Sequence, residues 1–215
     1  MATNPLAPTG LSFVRLFNSA AGNYATTQRT IQNGYGSILV PGEPVSLNSS
    51  GYVVQALTTG TITAPTNMLG IFAGVLPYYD TNTQQTMHGL NGEYITAAAP
   101  PTGTNIQCQV IEDFQATFAV QTNSQTAGGF QQSWVGMNCT WVSASANAPN
   151  AAGKSTLLID NVTNVIAVTT GYPFKIIGPF GTTGSPQDPA NLNPWIEVRF
   201  NAPSTAWLNY TPIGL

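Results

Sequence analysis

Charge is what this chain has least of. Its 215 residues include five Lys or Arg and eight Asp or Glu, a charged fraction of 6% where soluble domains usually carry ~25%. Binding to a phosphate backbone grows with the number of cations set against it, so five cations exclude a polybasic nucleic-acid surface. Charged disorder is excluded as well, because 42% of the residues are hydrophobic and they are spread along the chain. No apolar run approaches the ~18 residues of a membrane span. The start, Met1-Ala2-Thr3-Asn4-Pro5, has no basic stretch leading into an apolar one, which predicts a chain without an export signal. Neither nucleic acid nor membrane is expected as a partner.

Residues suited to catalysis or metal binding are almost as scarce. With one histidine and two cysteines, a zinc cluster cannot be assembled at these spacings. Without export the default for Cys108 and Cys139 is a pair of buried thiols, and Cys108 alternates with Ile106 and Val110 as an inward strand position would. His88 would have to serve any serine-type relay, yet it lies in the polar stretch Thr86-Met87-His88-Gly89 and no nucleophile elbow exists. Glu112-Asp113 is the one adjacent acidic pair. Neighbouring strand residues point to opposite faces, so these two are not expected to share a substrate. Ala152-Gly153-Lys154-Ser155-Thr156 ends like a phosphate-binding loop. It lacks the earlier glycine, because Ala148 stands there, and a β-like Leu157-Leu158-Ile159 follows where a helix is needed. It predicts a turn glycine and a solvated lysine. The glycan sequons at Asn48, Asn138, Asn161 and Asn209 arise by chance in a chain rich in Asn and Thr. No enzyme emerges, and no cofactor or metal is expected.

What the chain does have is Thr, Asn, 21 Gly and 16 Pro, with few of the charged helix formers. Strands are predicted at 37–40, 44–47, 52–57, 69–75, 106–111, 117–122, 134–141, 157–160, 165–169, 174–177 and 195–200. Turn residues separate them at sandwich- or barrel-like intervals. The two glycines of Leu69-Gly70-Ile71-Phe72-Ala73-Gly74-Val75 mark places where backbones approach closely. The predicted organisation is an extended N-terminal arm over 1–33, a β-rich part over 34–104 with a partner-facing loop at 76–104, and a β-sandwich or barrel body over 105–215. The fold class expected is therefore all-β.

A surface solvated by amides and hydroxyls repels its neighbours little, so much of it is expected to be contact surface in an assembly. In the arm, Leu11, Phe13, Val14, Leu16 and Phe17 form the one early apolar patch and are the candidate docking residues, able to add as a strand to a neighbour. Trp134, Trp141, Trp195 and Trp207 suit a core or a subunit interface, and less commonly a stacking platform for sugars.

An ordered series of short motifs carries a resemblance. It runs from Gly42-Glu43-Pro44-Val45 through Gly51-Tyr52-Val53 and Leu69–Val75 to Val110-Ile111-Glu112-Asp113. Phe118-Ala119-Val120-Gln121, Val135-Gly136-Met137-Asn138, Gly153–Asp160, Pro173-Phe174-Lys175-Ile176 and Trp195–Asn201 complete it. In this order, over about 34–201, the chain resembles head decoration (cement) proteins of tailed bacteriophages and related virion proteins. The loop 76–104 and the tail after 202 match no part of that pattern. The resemblance implies a non-enzymatic β protein, commonly a homotrimer, bound to the major capsid protein on the capsid exterior after assembly in the host cytoplasm. There it would stabilise the head by bridging capsid subunits. The rival expectation is a head-fibre or carbohydrate-binding module that uses exposed aromatics.

Overall fold

Residues 9–16, 26–56, 68–80, 84–87, 105–126, 129–143, 150–163, 165–168 and 172–201 are described by the computed structural model. Alternation of apolar and polar residues makes strands of them. In Ile106–Ile111, Ile106, Cys108 and Val110 are buried, whereas Gln107 and Gln109 between them are not, which is the period of a half-buried strand.

In chain order the strands are β1 (Ser12–Leu16), β2 (Thr27–Ile31), β3 (Pro44–Leu47), β4 (Val53–Gln55), β5 (Met68–Val75), β6 (Tyr78–Asp80) and β7 (Gln85–Met87). There follow β8 (Ile106–Ile111), β9 (Ala116–Gln121), β10 (Asn138–Cys139), β11 (Trp141–Ser143), β12 (Leu157–Ile159), β13 (Phe174–Pro179) and β14 (Trp195–Phe200). The one helical element among the described residues is a 3₁₀ turn, Gln132–Trp134. The chain is all-β, as its composition predicts.

Two antiparallel five-stranded sheets make a β-sandwich-like body, one ordered β1-β9-β14-β13-β10 and the other β2-β8-β5-β3-β4. Two short hairpins, β6-β7 and β11-β12, stand beside them. The principal core joins the sheets. Phe118, Val120, Phe174, Ile176, Ile196 and Val198 of the first pack with Met68, Ile71 and Ile111 of the second. The rings of Phe118 and Phe200 meet edge-on at 5.4 Å, and Phe200 stacks on Phe174 at 6.0 Å. A second cluster around Phe72, Cys108 and Val110 fills the β2-β8-β5-β3-β4 sheet's own side. At Gly70 a Cβ would lie 2.3 Å from the Ile111 carbonyl oxygen, so β5 and β8 meet where only glycine fits.

Three segments differ from the sequence reading. Residues 134–141 do not form one strand, because the 3₁₀ turn and Gly136, at φ +84°, break the run before β10. Residues 165–168 contribute only an isolated bridge from Ala167 to Asn138, with Val165 and Val168 exposed. Residues 37–40 likewise hold no strand, although Leu39 and Val40 are fully buried. In addition β2 lies within the stretch read as a polar arm, pairing with β8 from Thr27↔Val110 to Ile31↔Ile106. β8 itself, beyond the 104/105 boundary, completes the sheet that contains β2 to β5.

Candidate functional site

The candidate docking residues surround β1, and local contacts explain how the chain enters that strand. Gly10 has φ +65°, and a Cβ there would sit 2.8 Å from the Gly42 carbonyl oxygen. That crowding brings the two loops together, and the Leu11 amide donates to the Gly42 carbonyl at 3.0 Å. β1 then pairs antiparallel with β9: Ser12↔Ala119, Phe13↔Phe118, Arg15↔Thr117 and Leu16↔Ala116. Val14 faces no partner residue and is the extra residue of a bulge, the usual device for bending an edge strand.

The five residues accordingly part company. Leu11 is 2% exposed in the core. Phe13 meets Phe118 edge-on at 6.4 Å, and Leu16 packs against the same cluster. Leu11 is thus committed to the core, and Phe13 and Leu16 are half-buried against it. Val14 and Phe13 both line an outer cleft. Phe17 lies outside the described residues.

Cross-strand partners share a face, so the register separates the two sides of the first sheet. Phe13, Phe118 and Val198 face the core, whereas Ser12, Ala119 and Glu197 face outward. On the outward side a cleft of about 530 Å³ runs beside β1, with Ser12, Val14, Ala119, Phe180, Pro186 and Trp195 among its walls. Next to it the Arg15 guanidinium grips Glu197 through two hydrogen bonds, each 2.9 Å. The arginine side chain is 53% exposed and the carboxylate 9%. The hydrogen bond and the charge of Glu197 raise the Arg15 pKa further. In the sheet order β1 is terminal, with β9 as its neighbour, so among the described strands none covers its other edge.

Other residues considered from the sequence lie apart from one another. Arg29 on β2 holds Glu112 with hydrogen bonds of 2.6 and 2.7 Å. Asp113 accepts instead from the Gln115 amide at 2.8 Å. Lys154 follows a turn closed by Asn150, whose Oδ1 accepts from the Ala152 and Lys154 amides at 2.9 and 3.0 Å, and β12 follows rather than a helix. His88 lies outside the described residues. Among the described residues no three of His, Cys, Asp and Glu gather as metal ligands. Trp134 and Trp141 are 7% and 3% exposed and belong to the core, and Trp195, 5% exposed, lies outside both core clusters and walls the cleft; Trp207 is outside the described residues. Cys108 and Cys139 are buried free thiols in different core clusters. Burial pushes the Cys108 thiol up to about 12 and raises that of Cys139 as well.

One buried group had no signal in the sequence beyond its place in Gly42-Glu43-Pro44-Val45. Glu43 is 6% exposed. Its Oε2 accepts from the Val40 amide at 3.1 Å, and its Oε1 accepts from the Gln55 side-chain amide at 3.0 Å. Burial raises its pKa from 4.5 to about 7, with the two hydrogen bonds opposing. It ties the 40–43 turn to β4 and borders no cleft described above.

Compared with protein-family models, curated proteins and solved structures, the chain finds no significant match in any of the three.

Proposed function

We propose that the chain is a non-enzymatic virion structural protein that binds the outer surface of an assembled phage head and stabilises it by bridging capsid subunits. The observation that supports this most is β1: a bulged edge strand, terminal in its sheet, running beside an apolar cleft of about 530 Å³. An exposed strand edge can take up an extended segment through main-chain hydrogen bonds, while a flanking pocket selects the side chain. Leu11 and Leu16 anchor the strand in its own core, so docking falls to the outer edge, to Val14 and to the cleft, whose wall Phe13 shares. With little net charge, affinity rests on apolar and amide contacts rather than on long-range attraction. Binding only to the assembled shell shifts the assembly equilibrium by mass action. A homotrimer would multiply the effect by joining three such contacts.

The test is binding of the purified chain to heads that lack it. Wild type should saturate a fixed number of sites, and Val14→Asp should bind at least roughly tenfold more weakly, since it puts a charge into the cleft. Its melting temperature should stay near that of wild type. Equal occupancy by both proteins would remove β1 from the docking role, and no binding by wild type would reject decoration in favour of a sugar- or receptor-binding module.

A further inference from the structure

The segment Ala152-Gly153-Lys154-Ser155-Thr156 turns as its residues predict, with Gly153 at φ +67°. Its lysine, however, is half-buried and lines a second pocket, of about 270 Å³. Asn150 fixes Lys154 through the backbone. The Asn150 Oδ1 accepts from the Lys154 amide at 3.0 Å, and the Lys154 carbonyl accepts from the Asn150 amide at 2.8 Å. The lysine is therefore placed before its side chain makes any contact. The loops that meet at this pocket are fixed too. A Cβ on Gly10 would lie 2.6 Å from the Ser155 Cβ, and the Ser155 amide donates to the Pro41 carbonyl at 3.2 Å.

Lys154 is the one charged residue in the lining, and among the described residues no carboxylate pairs with it. Thr9 and Ser12, also in the lining, bond their hydroxyls to each other at 3.1 Å. The hydroxyl that accepts keeps its own proton for another acceptor. Leu11, Pro41, Ile71, Phe72 and Ile111 supply buried apolar wall. A cation and a hydroxyl beside such a wall suit an anion carried on an apolar stem. The backbone amides decide which anion. A phosphate-binding loop presents free N–H groups to its ligand. Here Ala152 and Lys154 donate to the Asn150 Oδ1 at 2.9 and 3.0 Å. Gly153 donates to the Asn150 carbonyl at 2.9 Å, and Ser155 to Pro41. These successive amides are all spent inside the chain, so one cation is left to match one negative charge.

We infer that this pocket binds a carboxylate on a short aliphatic stem, with Lys154 pairing the carboxylate and Leu11, Ile71 and Ile111 receiving the stem. Its volume lies just below the range of drug-sized sites, which suits one small group and not a long chain. The carboxylate belongs either to a free small acid or to an acidic side chain on a protein surface; the recognition is the same. The pocket shares Thr9, Ser12 and Phe13 with the cleft beside β1, so a partner docked there would bring a side chain within reach. The inference does not rest on the decoration reading.

The test is titration of the labelled protein, followed by amide NMR at low salt, with hexanoate, hexan-1-ol and hexyl phosphate. Hexanoate should shift the amides of Gly42, Ala73 and Lys154 saturably and bind about tenfold more tightly than hexan-1-ol, as a charge-assisted contact does. Hexyl phosphate should bind no more tightly than hexanoate. Lys154→Gln should bind hexanoate and hexan-1-ol alike, with its melting temperature unchanged because both backbone bonds to Asn150 remain. If Lys154→Gln melts lower, Lys154→Met keeps the packing of the stem and takes its place. The inference is overturned by equal affinity of wild type for hexanoate and hexan-1-ol, by an undiminished preference in the Lys154 variant, or by tighter binding of hexyl phosphate. Where the hexanoate preference holds, wild type and Lys154→Gln on heads lacking the chain identify the source of the carboxylate. Weaker binding by Lys154→Gln places it on the head as an acidic side chain, and equal binding makes it a free small acid. If wild type ignores heads while the preference holds, the pocket stands and decoration falls.

Discussion

Replacing Glu43 by Gln should remove most of the pH dependence of this protein's stability between pH 5 and 8. Burial holds the Glu43 pKa near 7 in the folded chain against about 4.5 when exposed. The sign follows from which state binds the proton more tightly. Below about pH 4.5 both states are protonated and Glu43 contributes no pH dependence. Between 4.5 and 7 the unfolded chain ionises first, so raising the pH favours unfolding; above 7 both are ionised and the loss is complete. A tenfold difference in proton affinity is worth ~1.4 kcal/mol, which makes the full loss about 3 kcal/mol. For a chain of this size that is roughly 6–12 °C in melting temperature.

The site can accept the neutral amide. The Oε1 of Gln55 is buried and meets no hydrogen-bond donor among the described residues, so the amide nitrogen of Glu43→Gln has an acceptor within reach after a small rotation. The measurement is thermal unfolding of both proteins in low salt at pH 5, 6, 7 and 8. Wild type should lose about 2–3 kcal/mol from pH 5 to 8, part of the loss being already complete at pH 5, and Glu43→Gln should stay nearly level and be the more stable at pH 8. His88 is present in both, so its titration cancels in the difference. Asp188, held low by the Gly184 and Ala190 amides, titrates below the window. Parallel curves for the two proteins would refute the reasoning, because they would mean that Glu43 ionises in the folded chain as it does in water.

Two further outcomes follow from the packing. Thiol titration at pH 8 should find Cys108 and Cys139 unreactive in the native protein and both reactive after denaturation without reductant, since both are buried free thiols and only the thiolate reacts; fast native labelling of either contradicts this. Gly70→Ala should destabilise by about 1–3 kcal/mol or more, as overpacking does in a well-filled interior, because its Cβ would press within 2.3 Å of the Ile111 carbonyl oxygen; an unchanged melting temperature would show that β5 and β8 can separate freely.

Much of the fold was legible because period-two burial is a local property. β8 and β14 lie where the residue pattern puts them, and Gly70 has the close backbone approach expected of it. The departures have local causes that propensity alone does not weigh. Val165 and Val168 are β-branched yet exposed, held in a segment braced by Asn161, whose Oδ1 accepts from the Ile166 amide at 3.0 Å. β2, Thr-Gln-Arg-Thr-Ile, is a polar edge strand with only Ile31 fully buried, so it carries almost no hydrophobic signal. In the candidate site, the apolar run from Leu11 was visible, but its division between core and cleft was not. That division depends on pairing with Phe118, about a hundred residues away in sequence, and on the bulge at Val14.

The temperature at which heads rupture, measured on heads lacking the chain before and after saturation with it, tests decoration most directly. Saturated heads should rupture several degrees higher, with Val14→Asp giving a smaller rise in proportion to its lower occupancy. An identical rupture temperature at full occupancy by the wild-type chain would contradict a stabilising role.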